Sequence, residues 1–195
     1  MVVLPKTVHA LKEWSVAVTA LEQGTLSLLL RKGGIQEAGR FTVPHTEVLL
    51  YPTYEHQRPD LLKPEYAQQV EAVESGWHPA DVRIGAWARI TDVLEVSEGD
   101  RLAALLPFHI WNEAFVTERL KWKPRQPLSV LLLRVYRLPE PQRLLYEPKY
   151  GGCKSWIDLN ASIALDEQRP VLSDRAYAEH VVQIRAALTG LGVER

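Results

Sequence analysis

The chain has 195 residues, of which 46% are hydrophobic and 24% are charged. This length supports one substantial core, and the balance is typical of a globular protein, which excludes a disordered chain, a collagen-like repeat and a coiled coil. The 23 lysine and arginine residues nearly balance the 24 aspartate and glutamate residues, and the net charge of −1 excludes a wholly basic protein that coats nucleic acid.

The first third of the chain predicts one helix and three strands. Apolar residues recur at helical spacing over 9–22, which predicts the helix. The apolar run 25–30 is predicted to be a strand that ends in a turn at 31–34, where two glycines accept left-handed backbone. Two further strands are predicted over 41–43 and 47–53, each with a proline near its end.

The middle of the chain is predicted to contain both helices and strands. A proline near the first turn predicts a helix over 64–75, and near-alternation of apolar residues predicts a long strand over 82–96. A short helix is predicted over 99–106. Asn112 is predicted to cap another helix over 113–120.

The last third begins with the clearest strand, 128–138, whose continuous apolar run is typical of a central strand covered on both faces. Shorter strands are predicted over 143–146 and 155–159. Ser173 is predicted to cap a final helix that Gly190 ends.

Strands and helices do not alternate regularly, which favours the α+β class over a doubly wound sheet. We predict a single domain over residues 1–195, in which a curved mixed sheet or partial barrel is flanked by helices. No apolar stretch approaches the roughly 18 residues of a membrane-spanning helix, and the first residues lack a secretory layout. One cysteine, Cys153, cannot form an internal disulfide. We therefore expect a cytoplasmic protein that does not contact membranes.

Four stretches carry a family resemblance. They are ALKEW at 10–14, LLRKGGI at 29–35, YPTYEHQ at 51–57 and GGCKSW at 151–156. Together they resemble a bacterial family known as domain of unknown function 1802, over residues 10–160. Some members of that family carry this region beside a restriction-type nuclease domain, so the resemblance implies a link to DNA restriction or modification.

The stretch 51–57 is the densest group of polar side chains, and it directly follows an apolar strand. Strand ends commonly present side chains to a cleft. The alternative is a polar strand exit whose side chains only hold a loop. His45 lies at the other end of the same strand, roughly 25–35 Å from His56 at ~3.3 Å per residue, so the two are not expected to share a metal ion. The candidate binding residues here are Thr53, Tyr54, His56 and Gln57.

The segment 119–154 has nine basic and two acidic residues, so it carries +7 and leaves −8 on the rest of the chain. Tyrosines and tryptophans are interleaved with these cations, which is typical of a nucleic-acid surface because cations meet phosphates and rings stack on bases. The alternative is a solvated rim whose cations pair with acidic residues elsewhere. The residues predicted to engage phosphates are Arg119, Lys121, Lys123, Arg125 and Lys154. The residues predicted to line a pocket for a base are Tyr54, His56, Gln57 and Trp156.

Two weaker signals concern Lys32 and Cys153. Lys32 precedes two glycines, so this turn could offer an ammonium and backbone N–H groups to a phosphate, and a plain hairpin turn is the alternative. Lys154 next to Cys153 could activate the thiol. We expect Cys153 to be a buried structural residue instead.

Glu140, Glu147 and Lys149 superficially resemble the carboxylate–lysine pattern of magnesium-dependent restriction-type nucleases, with Glu37 and Glu47 as a second choice. The spacing is short, and a proline within it would disturb the strand that should carry it. We therefore predict a nucleic-acid-binding protein without chemistry of its own, with no assigned catalytic residue, metal ligand or cofactor. A restriction-type nuclease and a structural or regulatory interaction module are the alternatives.

The relative position of the stretches 51–57 and 151–156 separates these interpretations. A functional site is favoured if both lie on one cleft. The structural alternatives are favoured if they lie on opposite faces.

Overall fold

The computed structural model describes residues 4–32 and 41–190. Six strands form one mixed sheet in the order β2-β5-β4-β3-β1-β6, so β2 and β6 are its edges and the sheet does not close. β1 and β3 are parallel, and the other neighbouring pairs are antiparallel. The strands are β1 (Lys6–Trp14), β2 (Leu28–Arg31), β3 (Glu47–Thr53), β4 (Asp81–Val96), β5 (Leu128–Leu145) and β6 (Trp156–Ala164).

Five α-helices within the described residues flank the sheet. They are α1 (Ser15–Gln23), α2 (Pro64–Ala67), α3 (Gly99–Ala103), α4 (Glu113–Lys121) and α5 (Asp174–Thr189). The predicted α+β class, a mixed sheet with flanking helices, is confirmed. None of the helices in residues 4–32 and 41–190 has both the length and the apolar character needed to cross a membrane.

Both predicted helix caps are confirmed. Asn112 accepts a hydrogen bond from the backbone N–H of Phe115 at 3.2 Å, and Ser173 accepts one from that of Ala176 at 3.2 Å. Each cap satisfies a donor that the first helical turn leaves unpaired.

The core has two parts, because successive strand residues point to opposite faces of the sheet. Leu11 and Leu50 pack with α1 and α5 in the larger cluster, whereas their neighbours Ala10 and Leu49 pack in a smaller cluster around Trp87. Strands β1 and β3 are therefore buried on both faces.

The predicted helix over 9–22 is wrong in its first half. Residues 9–14 belong to β1, which pairs with β3 on one side and β6 on the other, and the helix begins at Ser15. A strand that is buried on both faces carries apolar residues at odd and even positions, and in β1 the spacing of Leu11 and Trp14 also fits a helix. Pairing on both sides overrides the local preference.

The other differences concern the presence or the length of an element. Residues 41–43 form no strand, and the helix predicted over 64–75 is limited to Pro64–Ala67. The strands predicted separately over 128–138 and 143–146 form one strand that ends at Leu145, because it pairs with the whole of β4. Gly33, Gly34 and Glu37 lie outside the described residues.

Candidate functional site

A cleft of about 540 Å³ lies at the end of the sheet where β1 and β3 finish. Because these strands are parallel and Trp14 is in register with Thr53, their carboxyl ends meet at the same edge. The antiparallel strand β6 begins beside Leu11, which brings the preceding loop to the same place. Residues 51–56 and 151–155 both line the cleft. The two stretches therefore share one cleft.

Lys12 fastens the loop before β6 to the floor of the cleft. Its Nζ donates hydrogen bonds to the carbonyl oxygens of Tyr150 at 2.6 Å and Gly152 at 2.8 Å. Burial lowers the pKa of this ammonium group. The two carbonyl oxygens replace the water that burial removes, so Lys12 fixes the position of the loop that carries Lys154.

Two buried polar atoms on the cleft wall have no hydrogen-bond partner among the described residues, Arg31 Nε and the Tyr51 hydroxyl. Arg31 is held by Glu13, whose Oε2 lies 3.0 Å from its Nη2. Burial raises the pKa of Tyr51, so its hydroxyl stays protonated at neutral pH. Buried polar groups usually have a partner, and a bound ligand could supply one to these two atoms.

Aromatic side chains form much of the cleft wall. The rings of Tyr54 and Trp77 meet edge to face with centroids 5.7 Å apart, and those of His78 and Tyr146 stack with centroids 3.4 Å apart. Trp122, which is 43% exposed, also borders the cleft. Such faces offer stacking surfaces to a planar ligand.

The cleft carries an excess of positive charge, with six basic and three acidic residues on its wall. Each acidic side chain is engaged: Glu13 by Arg31, Glu118 by Arg58 at 2.9 Å, and Glu55 by the backbone N–H of Gly76. The basic residues are Lys12, Arg31, Lys32, Arg58, Arg119 and Lys154.

Lys32 is buried, and its ammonium group serves the fold. Its Nζ donates to the carbonyl oxygens of Arg119 at 2.7 Å and Leu120 at 3.2 Å, at the C-terminal end of α4. Cations are favourable there because the last carbonyls of a helix are unpaired. Burial, and secondarily Arg119, lowers the pKa of Lys32. Arg119 lies over the Phe115 ring at 4.9 Å, and burial lowers its pKa too.

Six predicted binding residues line the cleft. Thr53 also donates to the carbonyl oxygen of Glu13 at 3.0 Å, and His56 is exposed with a left-handed backbone (φ 61°). Histidine adopts that conformation more readily than branched residues do. The six are Lys32, Thr53, Tyr54, His56, Arg119 and Lys154.

Gln57 and Trp156 do not line the cleft, in contrast to their predicted role. Gln57 Oε1 accepts from the Ser15 hydroxyl and the Val16 backbone N–H, both at 3.1 Å, and so caps α1 from a distant segment. The Trp156 indole N–H donates to the carbonyl oxygen of Thr42 at 3.1 Å. Both polar groups therefore hold one segment against another.

Three of the predicted phosphate-binding residues also lie off the wall of the cleft. They follow or end α4, on either side of the bordering residue Trp122. These residues are Lys121, Lys123 and Arg125.

Cys153 is exposed and lines the cleft, so the expectation that it is buried is wrong. Gly152 adopts a left-handed backbone with φ 75°, which turns the chain directly before Cys153.

The residues of the predicted nuclease pattern make other contacts in the structure. Glu147 and Lys149 both hydrogen-bond the side chain of Asn160, and Glu47 forms an ion pair with Arg89 at 2.8 Å. Within the described part of the chain, the acidic residues of this pattern belong to no group of three that could hold a metal ion.

The sequence interpretation missed several cleft residues. Lys12 and Glu13 were assigned to a helix, so their position at a strand end was hidden. Trp77, His78 and Tyr146 lie in irregular segments or at a strand exit, and only their aromatic character could have indicated a role.

The chain is similar to three crystal structures of ASCH from Zymomonas mobilis. The unmodified protein is 9% identical, with a TM-score of 0.44 over 89% of this chain and 92% of that chain. A serine-to-alanine mutant is 10% identical, with a TM-score of 0.43 over 93% and 99%. A tyrosine-to-phenylalanine mutant is also 10% identical, with a TM-score of 0.40 over 89% and 95%.

No curated protein sequence matches the chain. The sequence profile of one family, described as a domain of unknown function (DUF1802), matches residues 10–183. That match includes all six strands except the first residues of β1, and it includes the stretches that line the cleft. The chain therefore belongs to the DUF1802 family.

Proposed function

We propose that the cleft binds nucleic acid, with one base among its aromatic side chains and phosphates on the cations around it. The observation that carries this proposal is the meeting of residues 51–56 and 151–155 on one cleft with an excess of basic side chains. Tyr54 and Lys154 are the residues on which the proposal rests most directly.

The dimensions of the cleft suit a base. Its volume of about 540 Å³ is within the range of small-molecule sites. Rings such as those of Tyr54 and Trp77 offer surfaces on which any base can stack. The Tyr51 hydroxyl and Arg31 Nε are buried without described partners, and both could donate hydrogen bonds to the edge of a base.

Phosphates would be held by the cations at the mouth. Lys154 is exposed on the loop that Lys12 holds in place. Its ammonium group forms no ion pair with a described residue, so it is available to a phosphate. The segment 121–125 continues the positive surface beyond Trp122. A strand of nucleic acid could follow this direction past the cleft.

The proposal is one of binding without chemistry. His56 lines the cleft and could act as a general acid or base, yet among the described residues no carboxylate is hydrogen-bonded to its ring and would orient it. A magnesium-dependent nuclease would need carboxylates grouped at the cleft, and its acidic residues are engaged by Arg31, Arg58 and a backbone N–H.

The test is fluorescence anisotropy with labelled single-stranded RNA and DNA at low salt. Tyr54→Ala should weaken binding roughly 5- to 150-fold, because stacking on one aromatic side chain contributes about 1–3 kcal/mol per base. Tyr54→Phe is the matched control, since it keeps the ring, and it should retain the affinity. Absence of binding to any oligonucleotide, or equal affinities in Tyr54→Ala and the wild type, would overturn the proposal.

The flanking segment is tested separately. Replacing Lys121, Lys123 and Arg125 together by alanine should reduce the slope of log affinity against log salt by about 2 if all three contact single-strand phosphates. An unchanged slope would remove this segment from the interface while leaving the cleft proposal standing.

The link to DNA restriction or modification, and the cytoplasmic location, stay predictions. A duplex DNA arm in the same binding experiment addresses the first. Preference for duplex DNA over RNA of the same sequence would favour it, and preference for single-stranded RNA would oppose it.

A further inference from the structure

A separate cluster of side chains lies nearer the other end of β1. His9 on β1 is directly opposite Asp158 on β6, and its Nδ1 lies 2.7 Å from Asp158 Oδ1. His45, in the segment that leads into β3, stacks on His9 with ring centroids 3.3 Å apart. The pairing of β1 and β6 shifts register between Thr7 and His9, and this irregularity helps to place His9 at the cluster.

We propose that His9, His45 and Asp158 bind a divalent transition-metal ion of the zinc class. Two imidazoles and one carboxylate form a donor set that such ions favour, and three protein ligands leave one position for water. One donor atom from each residue lies within 4.8 Å of the others. Donors bound at about 2.1 Å in a tetrahedron are about 3.4 Å apart, so the three donor atoms must move closer together to share one ion.

Two local changes would accompany binding. Parallel rings direct their lone pairs into parallel planes, so His45 must turn out of the stack to share an ion with His9. The proton that His9 Nδ1 donates to Asp158 would move to Nε2, which gives the other neutral tautomer and frees Nδ1 as a ligand. All three side chains are partly or fully exposed, so neither change disturbs the core.

The ion would join three segments of the chain. Residues 41–46 already contact the β1–β6 edge through Trp156, whose indole N–H bonds the Thr42 carbonyl and whose ring packs on Phe41. A metal bound by His45 would add a second attachment, three residues further along. Because the unfolded chain has no such assembled site, binding should stabilise the folded state.

The proposal is tested with untagged protein by calorimetric titration of Zn²⁺, and by the absorption spectrum of bound Co²⁺. One ion should bind per chain, and Zn²⁺ should raise the Tm as its concentration rises. His9→Ala, His45→Ala and Asp158→Asn should each raise the Kd roughly tenfold or more and remove the rise in Tm.

His180→Ala and Cys153→Ser are the matched controls, since His180 lies on α5 and Cys153 in the cleft, and both should keep the wild-type Kd. A Kd unchanged in His45→Ala, or absence of Zn²⁺ binding by the wild type, would overturn the proposal. Tyr54→Ala should bind Zn²⁺ normally, so this test is independent of the nucleic-acid proposal.

Discussion

The nine cations of segment 119–154 divide into two groups with different surroundings. Four of them, on β5 or shortly after it, are held by the fold: Arg134, Arg137, Arg143 and Lys149. Arg134 is buried and contacts Asp174 at 2.6 Å, and Arg137 donates to the Glu22 carbonyl at 2.8 Å. Arg143 pairs with Asp81 at 2.7 Å, and Lys149 hydrogen-bonds Asn160.

The other five lie at the cleft or beside it. Arg119 and Lys154 line the cleft, and the remaining three lie around Trp122. The comparison shows that the net charge of a segment overstates a binding surface, because a cation on a central strand finds partners within the fold. The expected pairing with acidic residues elsewhere is found for Arg134 and Arg143 of the first group, and a nucleic-acid surface remains the prediction for the second.

The largest expected effect concerns His109, a buried base that does not line the cleft. Its Nδ1 lies 3.1 Å from the Trp111 carbonyl, and burial, then Lys63, lowers its pKa from 6.5 to about 4. At pH values between about 4 and 6.5, His109 binds a proton in the unfolded chain but not in the folded chain. The free energy of unfolding should therefore fall by about 3 kcal/mol as pH drops from 7 to 4 through this group.

Urea unfolding at several pH values between 7 and 4 measures this effect. His109→Leu should flatten the pH dependence in that window and leave nucleic-acid affinity at pH 7 unchanged. The same pH dependence in the variant and the wild type would show that other groups are responsible.

The next effect concerns Arg134, the most deeply buried of the β5 cations. Arg134→Ala leaves the carbonyl oxygen of Leu172 without its partner at 2.5 Å, and Asp174 remains fully exposed. We expect a loss of about 1–3 kcal/mol in the free energy of unfolding, with nucleic-acid affinity retained. Arg175→Ala is the control, because its ion pair with Glu179 is exposed and should contribute little. A loss of affinity with unchanged stability would contradict the division into two groups.

A smaller effect compares one cation at the cleft with one cation that the fold holds. Lys154→Ala should weaken single-strand binding about fivefold at low salt and reduce the slope of log affinity against log salt by about 0.7, because one phosphate contact is lost. Arg143→Ala removes another exposed positive charge, one that is paired with Asp81, and it should change neither quantity. Equal losses in both variants would mean that only the overall charge matters.

The smallest effect tests the shape of the cleft. A Cβ on Gly151 would lie 2.7 Å from the Tyr146 hydroxyl, so Gly151→Ala should displace that ring and weaken binding about twofold to fivefold, at roughly 1 kcal/mol or less. Adding Tyr146→Phe removes the hydroxyl and should restore the affinity. Failure of the double variant to recover would place the effect in the loop backbone rather than in this contact.

Local signals predicted much of the fold. The strand over 47–53 matches β3, the strand over 82–96 matches β4 to within one residue, and both helix caps are found where they were expected. These features depend on neighbours a few residues apart. The helix predicted over 9–22 failed in its first part, because β1 lies between two strands that are distant in sequence.

The candidate site divides in the same way. Tyr54, His56 and Lys154 were found because dense polar or basic stretches follow apolar strands. Gln57 and Trp156 belong to the same stretches, yet their polar groups bond the start of α1 and the Thr42 carbonyl. No local pattern distinguishes a side chain that faces a cleft from one that faces another segment.

The sequence by itself determined the class of fold, the caps and the two stretches that meet at the cleft, since each depends on residue type and short-range spacing. Only the tertiary structure decided that these stretches meet and which cations the fold uses. It also decided that His45 lies against His9 and Asp158 rather than near His56. The antiparallel pairing of β1 with β6 joins residues more than a hundred positions apart, and the parallel pairing of β1 with β3 brings a third segment beside them. The spacing of residues along the chain does not indicate either pairing.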